Sequence, residues 1–337
     1  MRIAIFGAGS LGTVLGAYLS KNGVDVDLFS RNKGHVEGLR KSGAHITGKV
    51  DFTIPVKAYY PEEMKGEYDL IFLMTKQLEN REVVSMLKNH LKSDGDICTM
   101  QNGLPEPLIS EIVGEDRTMG CAVAWGATLK GNGVSELTSE EDSMSFSLGR
   151  LNGKEDERLL RAKEILEKMC PVQLEKNFIG MRFSKLLINA AFSGMSAVTG
   201  STFGEASKKK DSRRCVQKII KECIDVAKAN NITIEPIQGK DVVKLLDYKN
   251  GFKKKISFLL IPLCIKKHAA LKASMLQDLE KGKKTEVDSI NGSVVLFGKK
   301  AGVPTPYNET VVRVIHEIED GMRKPSFDNV KVFEGLK

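Results

Sequence analysis

The sequence predicts an α/β protein in which a doubly wound, mostly parallel sheet comes first and an all-helical domain follows. Over roughly the first 150 residues, short apolar runs alternate with helix-like segments, as they do when helices cover a parallel sheet. From about residue 155 onward the pattern is helical. The chain of 337 residues also exceeds the ~250–300 at which one core usually stops growing. We therefore expect domains over residues 1–174 and 175–325, and a tail over 326–337.

Four apolar runs in the first half have the length and composition of β-strands. They are residues 3–7 (IAIFG), 24–30 (VDVDLFS), 68–75 (YDLIFLMT) and 96–100 (DICTM). Residues 10–22 and 79–91 carry apolar side chains at helical spacing. Residues 117–138 predict strands joined by a Gly-Asn-Gly turn, and residues 145–149 predict one more. We expect these later strands to extend the same sheet, with an antiparallel direction left open.

The second half predicts helices with little sign of strands. The helical segments are 155–169, 178–199, 211–230, 286–300 and 308–320. Thr285 to Asp288 resembles a capping box, so a helix is predicted to begin at residue 286, and Gly302 and Pro304 are expected to end it.

Two stretches outside these helices carry weaker signals. The apolar run 256–265, with Pro262 inside it and lysines on both sides, is predicted to be a buried helical segment with solvated ends. Contact with a membrane surface is the alternative for that run. The tail after Pro325 is expected to be loosely held.

Composition excludes several classes of protein. No stretch approaches the ~20 apolar residues of a membrane-spanning helix, and the first residues lead directly into a motif rather than resembling a signal peptide. The six cysteines form no CxxC pair, and the five histidines have no metal-ligand spacing. We therefore expect a cytoplasmic protein with no membrane partner, no disulfide framework, no bound metal and no catalytic cysteine.

The net charge of +8 is concentrated in the second half of the chain. Its basic runs lack interleaved aromatic residues and match no nucleic-acid-binding module, so we expect no nucleic-acid partner. A solvated basic surface and electrostatic steering of an anionic small molecule both remain open.

The hexapeptide GAGSLG places Gly7, Gly9 and Gly12 in a G-x-G-x-x-G arrangement, with Ala8, Ser10 and Leu11 between them. Six residues of this kind are weak evidence alone, but here they follow a predicted strand and open a predicted helix. The first glycine permits the tight turn, the second lets backbone approach a pyrophosphate, and the third allows close helix–strand packing. The motif predicts a Rossmann-like dinucleotide-binding domain, a structural turn being the alternative.

The end of the second strand indicates which dinucleotide binds. An acidic residue there would accept hydrogen bonds from the adenosine ribose, whereas a 2′-phosphate requires a cation. The sequence has Ser30 and Arg31 at this position, and Asp27 lies too early, inside the strand. A hydroxyl and a guanidinium suit a phosphate, so we expect NADP(H) rather than NAD(H).

Several motifs in order along the chain resemble those of the ketopantoate reductase family, whose members reduce 2-dehydropantoate to pantoate with NADPH on the route to pantothenate and coenzyme A. The likeness runs from the glycine motif to about residue 320. It rests on Thr75-Lys76, Gln101-Asn102-Gly103, Lys185-Leu186-Leu187-Ile188-Asn189 and the stretch from Ser274 to Gly292 (SMLQDLEKGKKTEVDSING). The resemblance implies a second domain like the C-terminal domain of 6-phosphogluconate dehydrogenase.

Reduction of a 2-oxo acid needs a hydride donor, a proton donor for the carbonyl oxygen, and polar groups that hold the substrate. Lys185 and Asn189 lie four residues apart on one predicted helical face, and Ser193 extends that face by one turn. The resemblance implies that Lys185 polarises the carbonyl and protonates the developing alkoxide, and that Asn189 and Ser193 face the substrate. An unremarkable surface lysine is the alternative reading of Lys185.

The resemblance also implies roles for residues at strand ends. Lys76 would help to hold the cofactor, and Asn102 would contact both cofactor and substrate. Ala127 aligns with a backbone contact to the cofactor.

In the later motif, Glu286 aligns with an acid near the nicotinamide and the substrate hydroxyl. A carboxylate is also favoured at a helix N-terminus without any such role. Ser274 would donate a hydrogen bond to the substrate, with Asp278 one turn further supporting it.

Two positions depart from the family pattern and leave the substrate open. The family often has a second asparagine where this chain has Ser193, and a third one near Phe203 or Gly204. The first hypothesis is therefore reduction of ketopantoate to (R)-pantoate, and the second is reduction of another branched 2-oxo acid to a D-2-hydroxy acid. A third hypothesis, from another class, is a non-catalytic NADP-binding sensor. A homodimer through the helical half is open as well.

Overall fold

The computed structural model describes residues 1–237 and 239–336. It divides into two compact units, Met1–Phe178 and Ile179–Lys337. Each unit has its own secondary structure and its own share of the candidate residues.

The first unit contains an eight-stranded sheet in the order β12-β11-β8-β7-β6-β1-β2-β5. Neighbouring strands are parallel except for the antiparallel pair β8 and β11. The predicted strands 3–7, 24–30, 68–75 and 96–100 are confirmed, since they fall on β1, β2, β6 and β7. The bounds of all the strands are β1 (Ile3–Phe6), β2 (Val26–Phe29), β3 (Ala44–Gly48), β4 (Phe52–Ile54), β5 (Lys57–Tyr59), β6 (Tyr68–Leu73), β7 (Leu91–Thr99), β8 (Thr118–Val123), β9 (Ala127–Gly131), β10 (Val134–Leu137), β11 (Phe146–Gly149) and β12 (Val172–Leu174).

A second, four-stranded sheet has the order β4-β3-β10-β9. The predicted Gly-Asn-Gly turn is confirmed: it joins β9 to β10, and Gly133 has a φ of 80°. The expectation that these strands extend the main sheet is wrong for β9 and β10, because β10 pairs with β3 instead. The short strands β3 to β5 were missed because they are partly exposed and carry polar residues, which weakens the apolar signal.

Five α-helices of the first unit connect these strands: α1 (Ser10–Lys21), α2 (Lys33–Ser42), α3 (Asn80–Lys88), α4 (Glu106–Val113) and α5 (Glu157–Leu166). Helix α1 contacts strands of both sheets, and its residues from Gly12 to Leu19 are all buried. A helix covered on opposite sides is apolar all round rather than amphipathic. Further along, Trp125 is 7% exposed and lies edge-on to Phe146, with ring centroids 6.0 Å apart.

The second unit is helical, as predicted. Its helices are α6 (Phe178–Ile188), α7 (Gly194–Thr199), α8 (Phe203–Lys208), α9 (Lys210–Ala229), α10 (Val242–Leu246), α11 (Gly251–Cys264), α12 (Ser274–Glu280), α13 (Val287–Ala301) and α14 (Pro306–Glu319). Between α6 and α7 the chain forms a π-helical turn over Asn189–Ser193, which we call the π segment. A single α-helix was predicted here, but the wider turn interrupts it.

The apolar run 256–265 forms most of α11, and the prediction that it is buried is wrong. Of this helix only Ser257 and Ile261 are buried, while Phe252, Leu259 and Leu263 are 75%, 65% and 66% exposed. No helix within the described part of the chain is both long and apolar enough to cross a membrane.

Two other local expectations are corrected. The capping box at Thr285 does not form: the Thr285 hydroxyl accepts from the Val287 N–H at 3.2 Å, and the Asp288 carboxylate pairs with His316 at 3.0 Å instead. The tail is not loosely held, because Phe327–Phe333 forms a 3₁₀-helix in which Asn329 and Phe333 are buried. The predicted end of α13 is confirmed by Gly302, whose φ is 68°.

Candidate active site

The glycine loop after β1 is shaped by two very close backbone approaches. A Cβ on Gly7, which has a φ of 112°, would lie 2.5 Å from the Thr75 amide nitrogen, and one on Gly12 would lie 2.4 Å from the Gly7 carbonyl oxygen. These distances leave no room for a side chain. A Cβ on Gly9, in contrast, would meet no atom within 4 Å. The loop is therefore tight beneath Gly7 and Gly12 and open above Gly9.

Helix α1 begins directly after this loop, and no side chain caps its N-terminus. The Gly9 N–H is used within the loop, donating to the Gly7 carbonyl at 2.7 Å. Ala8 is buried, whereas Ser10 and Leu11 are half-buried, and the Ser10 carbonyl accepts a hydrogen bond from the Ser135 hydroxyl at 2.9 Å. An uncapped helix N-terminus beside open space fits a dinucleotide pyrophosphate, because its N–H groups and dipole favour an anion.

The end of β2 carries the residues that distinguish the two dinucleotides. The exposed Arg31 guanidinium pairs with Glu79 at 2.5 Å, and Ser30 is fixed through its N–H, which donates to Tyr59. Asp27 lies inside β2, where its carboxylate accepts from the Tyr68 hydroxyl at 2.8 Å. An exposed ion pair contributes little to stability, so a phosphate can compete with Glu79 for Arg31.

The ends of β6 and β7 are joined by a side chain that the sequence reasoning left without a role. Gln101 is buried, and its amide nitrogen donates to the Thr75 carbonyl at 2.9 Å and to the Asn80 side chain at 2.8 Å. In addition, the Gln77 side chain donates to the Asn102 carbonyl. These bonds set the backbone that carries Lys76 and Asn102. Gln101 is the first residue of the motif Gln101-Asn102-Gly103. Its place in that motif is the signal from which a role could have been predicted.

Ala127 lies at the start of β9, in the smaller sheet of the first unit. It is half-buried and follows Gly126, whose N–H donates to the Ser139 hydroxyl at 3.0 Å. Helix α1 contacts β9, so the sheet that carries Ala127 also supports the helix that follows the glycine loop.

In the second unit, Lys185 and Asn189 lie at the junction of α6 and the π segment. Both are half-buried, while Ser193, at the end of the segment, is 6% exposed. In an α-helix, residues four apart are offset by about 40° around the axis. The i→i+5 hydrogen bonds of a π turn make the turn itself wider. Asn189 and Ser193, which are four residues apart, therefore come closer to alignment on one face.

Helix α12 contacts both α7 and the π segment. Its start is tied to α7, because the Ala273 N–H donates to the Ser196 hydroxyl at 3.3 Å. Ser274, the next residue, is exposed, and Asp278 is half-buried one turn further on.

Helix α8 begins with a residue that departs from the family pattern, and this residue contacts the π segment. Phe203 packs against Phe192 of the π segment, with ring centroids 5.9 Å apart. An aromatic ring thus stands near the segment at a position where an amide was expected by resemblance. Gly204 lies against another loop, since a Cβ there would be 2.8 Å from the Ala269 carbonyl oxygen.

Glu286 is the residue immediately before α13 and is half-buried. The same helix contributes Asn291, which is fully buried and donates its side-chain amide to the Ala190 carbonyl of the π segment at 3.1 Å. The second unit therefore brings α6, α12 and α13, which carry its predicted site residues, together around one segment. Asn291 itself was missed, although it belongs to the quoted stretch that ends at Gly292.

The described residues offer no metal site, and burial disfavours reaction at two of the cysteines. Among residues 1–237 and 239–336, no group of three or more His, Cys, Asp or Glu is arranged to hold a metal ion. The six cysteines are free, and Cys264 is the exposed one. Burial raises the pKa of Cys170 and Cys215 to about 12, which disfavours the reactive thiolate.

A Rossmann-like unit with a glycine cradle, followed by a helical unit with a lysine-bearing face, is the architecture of a dehydrogenase, and comparison with known proteins agrees. The family described as ketopantoate reductase PanE/ApbA matches residues 3–152, and its C-terminal part matches residues 177–319. The chain belongs to the ketopantoate reductase family and is an oxidoreductase of that family.

Named relatives cover nearly the whole chain at modest identity. The 2-dehydropantoate 2-reductase of Streptococcus pyogenes serotype M3 is 25% identical over 322 residues, covering 95% of this chain and 98% of the relative. That of Pyrococcus horikoshii is 27% identical over 312 residues, covering 91% and 94%.

Solved structures share the fold. A ketopantoate reductase from Ralstonia eutropha superposes with a TM-score of 0.81 at 22% identity, covering 95% of this chain and 99% of that one. A D-mandelate dehydrogenase, solved with NADH and anilino(oxo)acetate, gives a TM-score of 0.79 at 24% identity, covering 96% and 99%. At these identities the two structures support the architecture alone.

Proposed function

We propose that this protein reduces 2-dehydropantoate to (R)-pantoate with NADPH, in the biosynthesis of pantothenate and coenzyme A. The observation that carries the proposal is the grouping of α6, α12 and α13 around the π segment, in a chain of the ketopantoate reductase family. Those helices bear the lysine, amide, hydroxyl and carboxylate side chains that binding and protonating a 2-oxo acid require.

The cofactor proposal rests on the geometry of the first unit. The open space above Gly9 and the uncapped start of α1 suit a pyrophosphate, and Arg31 at the end of β2 suits a 2′-phosphate. Lys76, Asn102 and the Ala127 backbone are the further cofactor contacts that we propose. When bound, the dinucleotide supplies the hydride for the 2-oxo carbon.

The second unit supplies the groups that act on the substrate. We assign Lys185 as the proton donor, because an ammonium can polarise the carbonyl oxygen and then protonate the alkoxide that forms there. Asn189, Ser193 and Ser274 would hydrogen-bond the substrate together with Asn102, and Asp278 would support Ser274. Glu286 is assigned a position near the nicotinamide and the substrate hydroxyl.

A second candidate is the reduction of another 2-oxo acid to a D-2-hydroxy acid. Its support is Phe203, which packs against the π segment where an amide was expected and would favour a more apolar substrate. The fold shared with a D-mandelate dehydrogenase is compatible with this candidate.

Oxidation of NADPH, followed by its absorbance, distinguishes these candidates. We expect the highest kcat/KM with ketopantoate and NADPH, compared with a panel of branched and aromatic 2-oxo acids offered with NADPH or NADH. A higher kcat/KM for another 2-oxo acid would favour the second candidate. Binding of NADPH without its oxidation by any member of the panel would instead identify a non-catalytic sensor and overturn both.

We further propose that the protein acts in the cytoplasm. All six cysteines are free thiols, and reduced cysteines are typical of a reducing compartment. Localisation of a tagged chain by microscopy or fractionation tests this proposal, and a protein recovered from an oxidising compartment would contradict it.

We also propose a homodimer formed through α11. Its exposed side chains Phe252, Ile256, Leu259 and Leu263 recur at intervals of four, three and four residues, which places them on one face with the spacing of a helix–helix contact. A second copy would offer the same stripe across a two-fold axis. No carboxylate lies between Asp247 and Asp278, a range rich in lysine. Two copies should therefore repel less, and associate more, as ionic strength rises.

Light scattering at low and high salt measures this association. We expect a dimer mass that is favoured by salt and lost in Leu259→Glu. Leu160→Glu, which changes an exposed leucine of α5 in the first unit, should keep the dimer. A monomer mass for the unmodified chain at every salt concentration would exclude the interface.

A further inference from the structure

The π segment has a backbone hydrogen bond in an unusual register. The Gly194 N–H donates to the Asn189 carbonyl, five residues back, and to the Ala191 carbonyl. In an α-helix the partner of this N–H would be the Ala190 carbonyl. That carbonyl instead accepts from the Asn291 side chain at 3.1 Å. Asn291 therefore supplies the Ala190 carbonyl with a hydrogen-bond donor in place of the Gly194 N–H, which the wider turn directs elsewhere.

The packing around Asn291 is close enough to depend on its shape. Asn291 is fully buried. A Cβ on Gly194 would lie 3.1 Å from the Asn291 side-chain oxygen and 3.1 Å from a methyl carbon of Val311. The amide thus fits between Ala190 and Gly194, where the chain passes from the π segment into α7.

The direction of this hydrogen bond is set from further away. The buried Glu222 carboxylate of α9 accepts from the side-chain amide of Asn308 at 2.7 Å. Once ionised, as it is above its pKa, the carboxylate only accepts, so Asn308 must turn its nitrogen toward Glu222 and its oxygen away. That oxygen accepts from the Asn291 nitrogen at 2.9 Å, which orients the Asn291 amide toward Ala190.

Glu222 also holds the start of α14, the helix that carries Asn308. It accepts from the backbone N–H groups of Tyr307 at 2.8 Å and Asn308 at 2.9 Å, at the start of α14. That helix has no capping side chain of its own, so Glu222 satisfies donors that would otherwise be orphaned. The position of Asn308 is thereby fixed by its own two hydrogen bonds to this carboxylate and by one from its neighbour Tyr307.

We propose that Asn291, oriented by Asn308 and Glu222, is a positioning residue that fixes the π register and so the directions of Asn189 and Ser193. The inference rests on the proposed function in one respect, namely that Asn189 and Ser193 face the substrate. Loss of the wide turn would shift the register by one residue, which rotates one side of the segment by about 100° relative to the other. Lys185 and Asn189 would then no longer be aligned with Ser193.

Hydrogen exchange of backbone amides tests the structural half of this proposal without any substrate. In Asn291→Ala, amides of residues 189–195 should exchange about ten- to a hundredfold faster, the effect expected when a buried hydrogen bond is lost. Asn329→Ala is the matched control. Asn329 is also buried and also donates two hydrogen bonds, to the carbonyls of Val198 and Lys324, both at 2.9 Å. Equal exchange of residues 189–195 in both variants would overturn the proposal.

A second variant tests the relay even if Asn291→Ala fails to fold. Asn308→Ala removes the oxygen that orients Asn291 and keeps both backbone N–H bonds to Glu222, so it should speed exchange in residues 189–195. Tyr307→Phe is its control, because it keeps the same backbone bond and removes only the hydroxyl contact with the Leu336 carbonyl. Equal exchange of residues 189–195 in these two variants would contradict the relay.

Steady-state kinetics test the functional half of the proposal. Asn308→Ala should raise KM for the 2-oxo acid about tenfold or more while the Kd for NADPH, measured by calorimetry, stays unchanged. An equal loss of cofactor affinity would indicate general unfolding and count against positioning. If the unmodified protein reduces no 2-oxo acid, the proposed function fails, and the exchange data alone still decide the proposal.

Discussion

The glycine loop of the first unit and the π segment of the second are built in different ways. In the loop, backbone meets backbone: Gly7 lies against Thr75 and Gly12 against Gly7, with no side chain between them. In the π segment, a widened turn is held by a side-chain amide from α13, which is oriented by residues of α9 and α14.

This difference decides how easily each region is found in a sequence. Backbone contacts that require glycine are encoded by a few consecutive residues, so a short motif reports them. The amide that holds Ala190 comes from a residue 101 positions further along the chain. No residue pattern within the π segment itself predicts this hydrogen bond. A site built by side chains therefore depends on the whole unit folding correctly, whereas the loop depends mainly on its own residues.

The largest effect is expected at Lys185, and it separates the tasks of the two regions. In Lys185→Ala, kcat should fall by about 10²–10⁴, the usual contribution of an acid–base group, with the Kd for NADPH unchanged. Lys185→Arg keeps the charge but not the ability to release a proton, so its kcat should be equally low. Turnover of Lys185→Ala within about tenfold of the unmodified protein would refute the role.

Glu222 should give the second region a pH dependence that the glycine loop lacks. Burial raises the pKa of its carboxyl to about 7, and the negative charge of Glu309 also raises it, against hydrogen bonds from Tyr307 and Asn308 that lower it. Between about pH 4.5 and 7 the folded state therefore holds a proton that the unfolded state has lost. The free energy of unfolding should therefore decrease as pH rises through this window, by roughly 2–3 kcal/mol. Denaturant titrations at several pH values should show this slope, and Glu222→Gln should lack it. Parallel pH profiles for the two proteins would contradict the assignment.

A pair of glycine variants tests whether the loop is held by backbone contacts alone. Gly12→Ala places a methyl group against the Gly7 carbonyl and should lower the free energy of unfolding by about 1–3 kcal/mol. Gly9→Ala meets no atom within 4 Å and should leave stability within about 0.5 kcal/mol, while it weakens binding of NADPH by obstructing the pyrophosphate. Thermal unfolding and calorimetric titration measure both quantities. Unchanged cofactor affinity in Gly9→Ala would place the pyrophosphate elsewhere.

The smallest effect concerns the choice of dinucleotide. Arg31→Ala should raise KM for NADPH about five- to tenfold, the loss of one exposed charge-assisted contact, and leave KM for NADH unchanged. Glu79→Gln removes the carboxylate that now pairs with Arg31 and should lower KM for NADPH. Specificity constants that favour NADH in the unmodified enzyme would show that Arg31 does not select a phosphate.

The parts of the fold that sequence reasoning found are those with regular, local signals. The strands β1, β2, β6 and β7 are apolar runs of ordinary length, and the start of α1 is marked by the glycine motif. The second sheet was misassigned because β3 and β10 are far apart in sequence and only half apolar. Helix α11 was misjudged because an apolar stripe reads the same way whether it is buried or exposed.

The candidate residues show the same division. Gly7, Gly9 and Gly12 could be given individual roles because their geometry follows from a motif. Gln101 and Asn291 were present in quoted motifs, but their hydrogen bonds to Thr75 and Ala190 depend on tertiary contacts that no spacing predicts. Glu222 carried no local signal at all, since a glutamate within a charged helix is ordinarily solvated.

The chain has one tryptophan, and Trp125 lies in the first unit with its ring edge-on to Phe146. Tryptophan fluorescence therefore reports the unfolding of the first unit by itself. It does not report the unfolding of the helices of the second unit. Melting curves recorded by fluorescence and by circular dichroism should diverge whenever one half of the polypeptide loses its structure before the other.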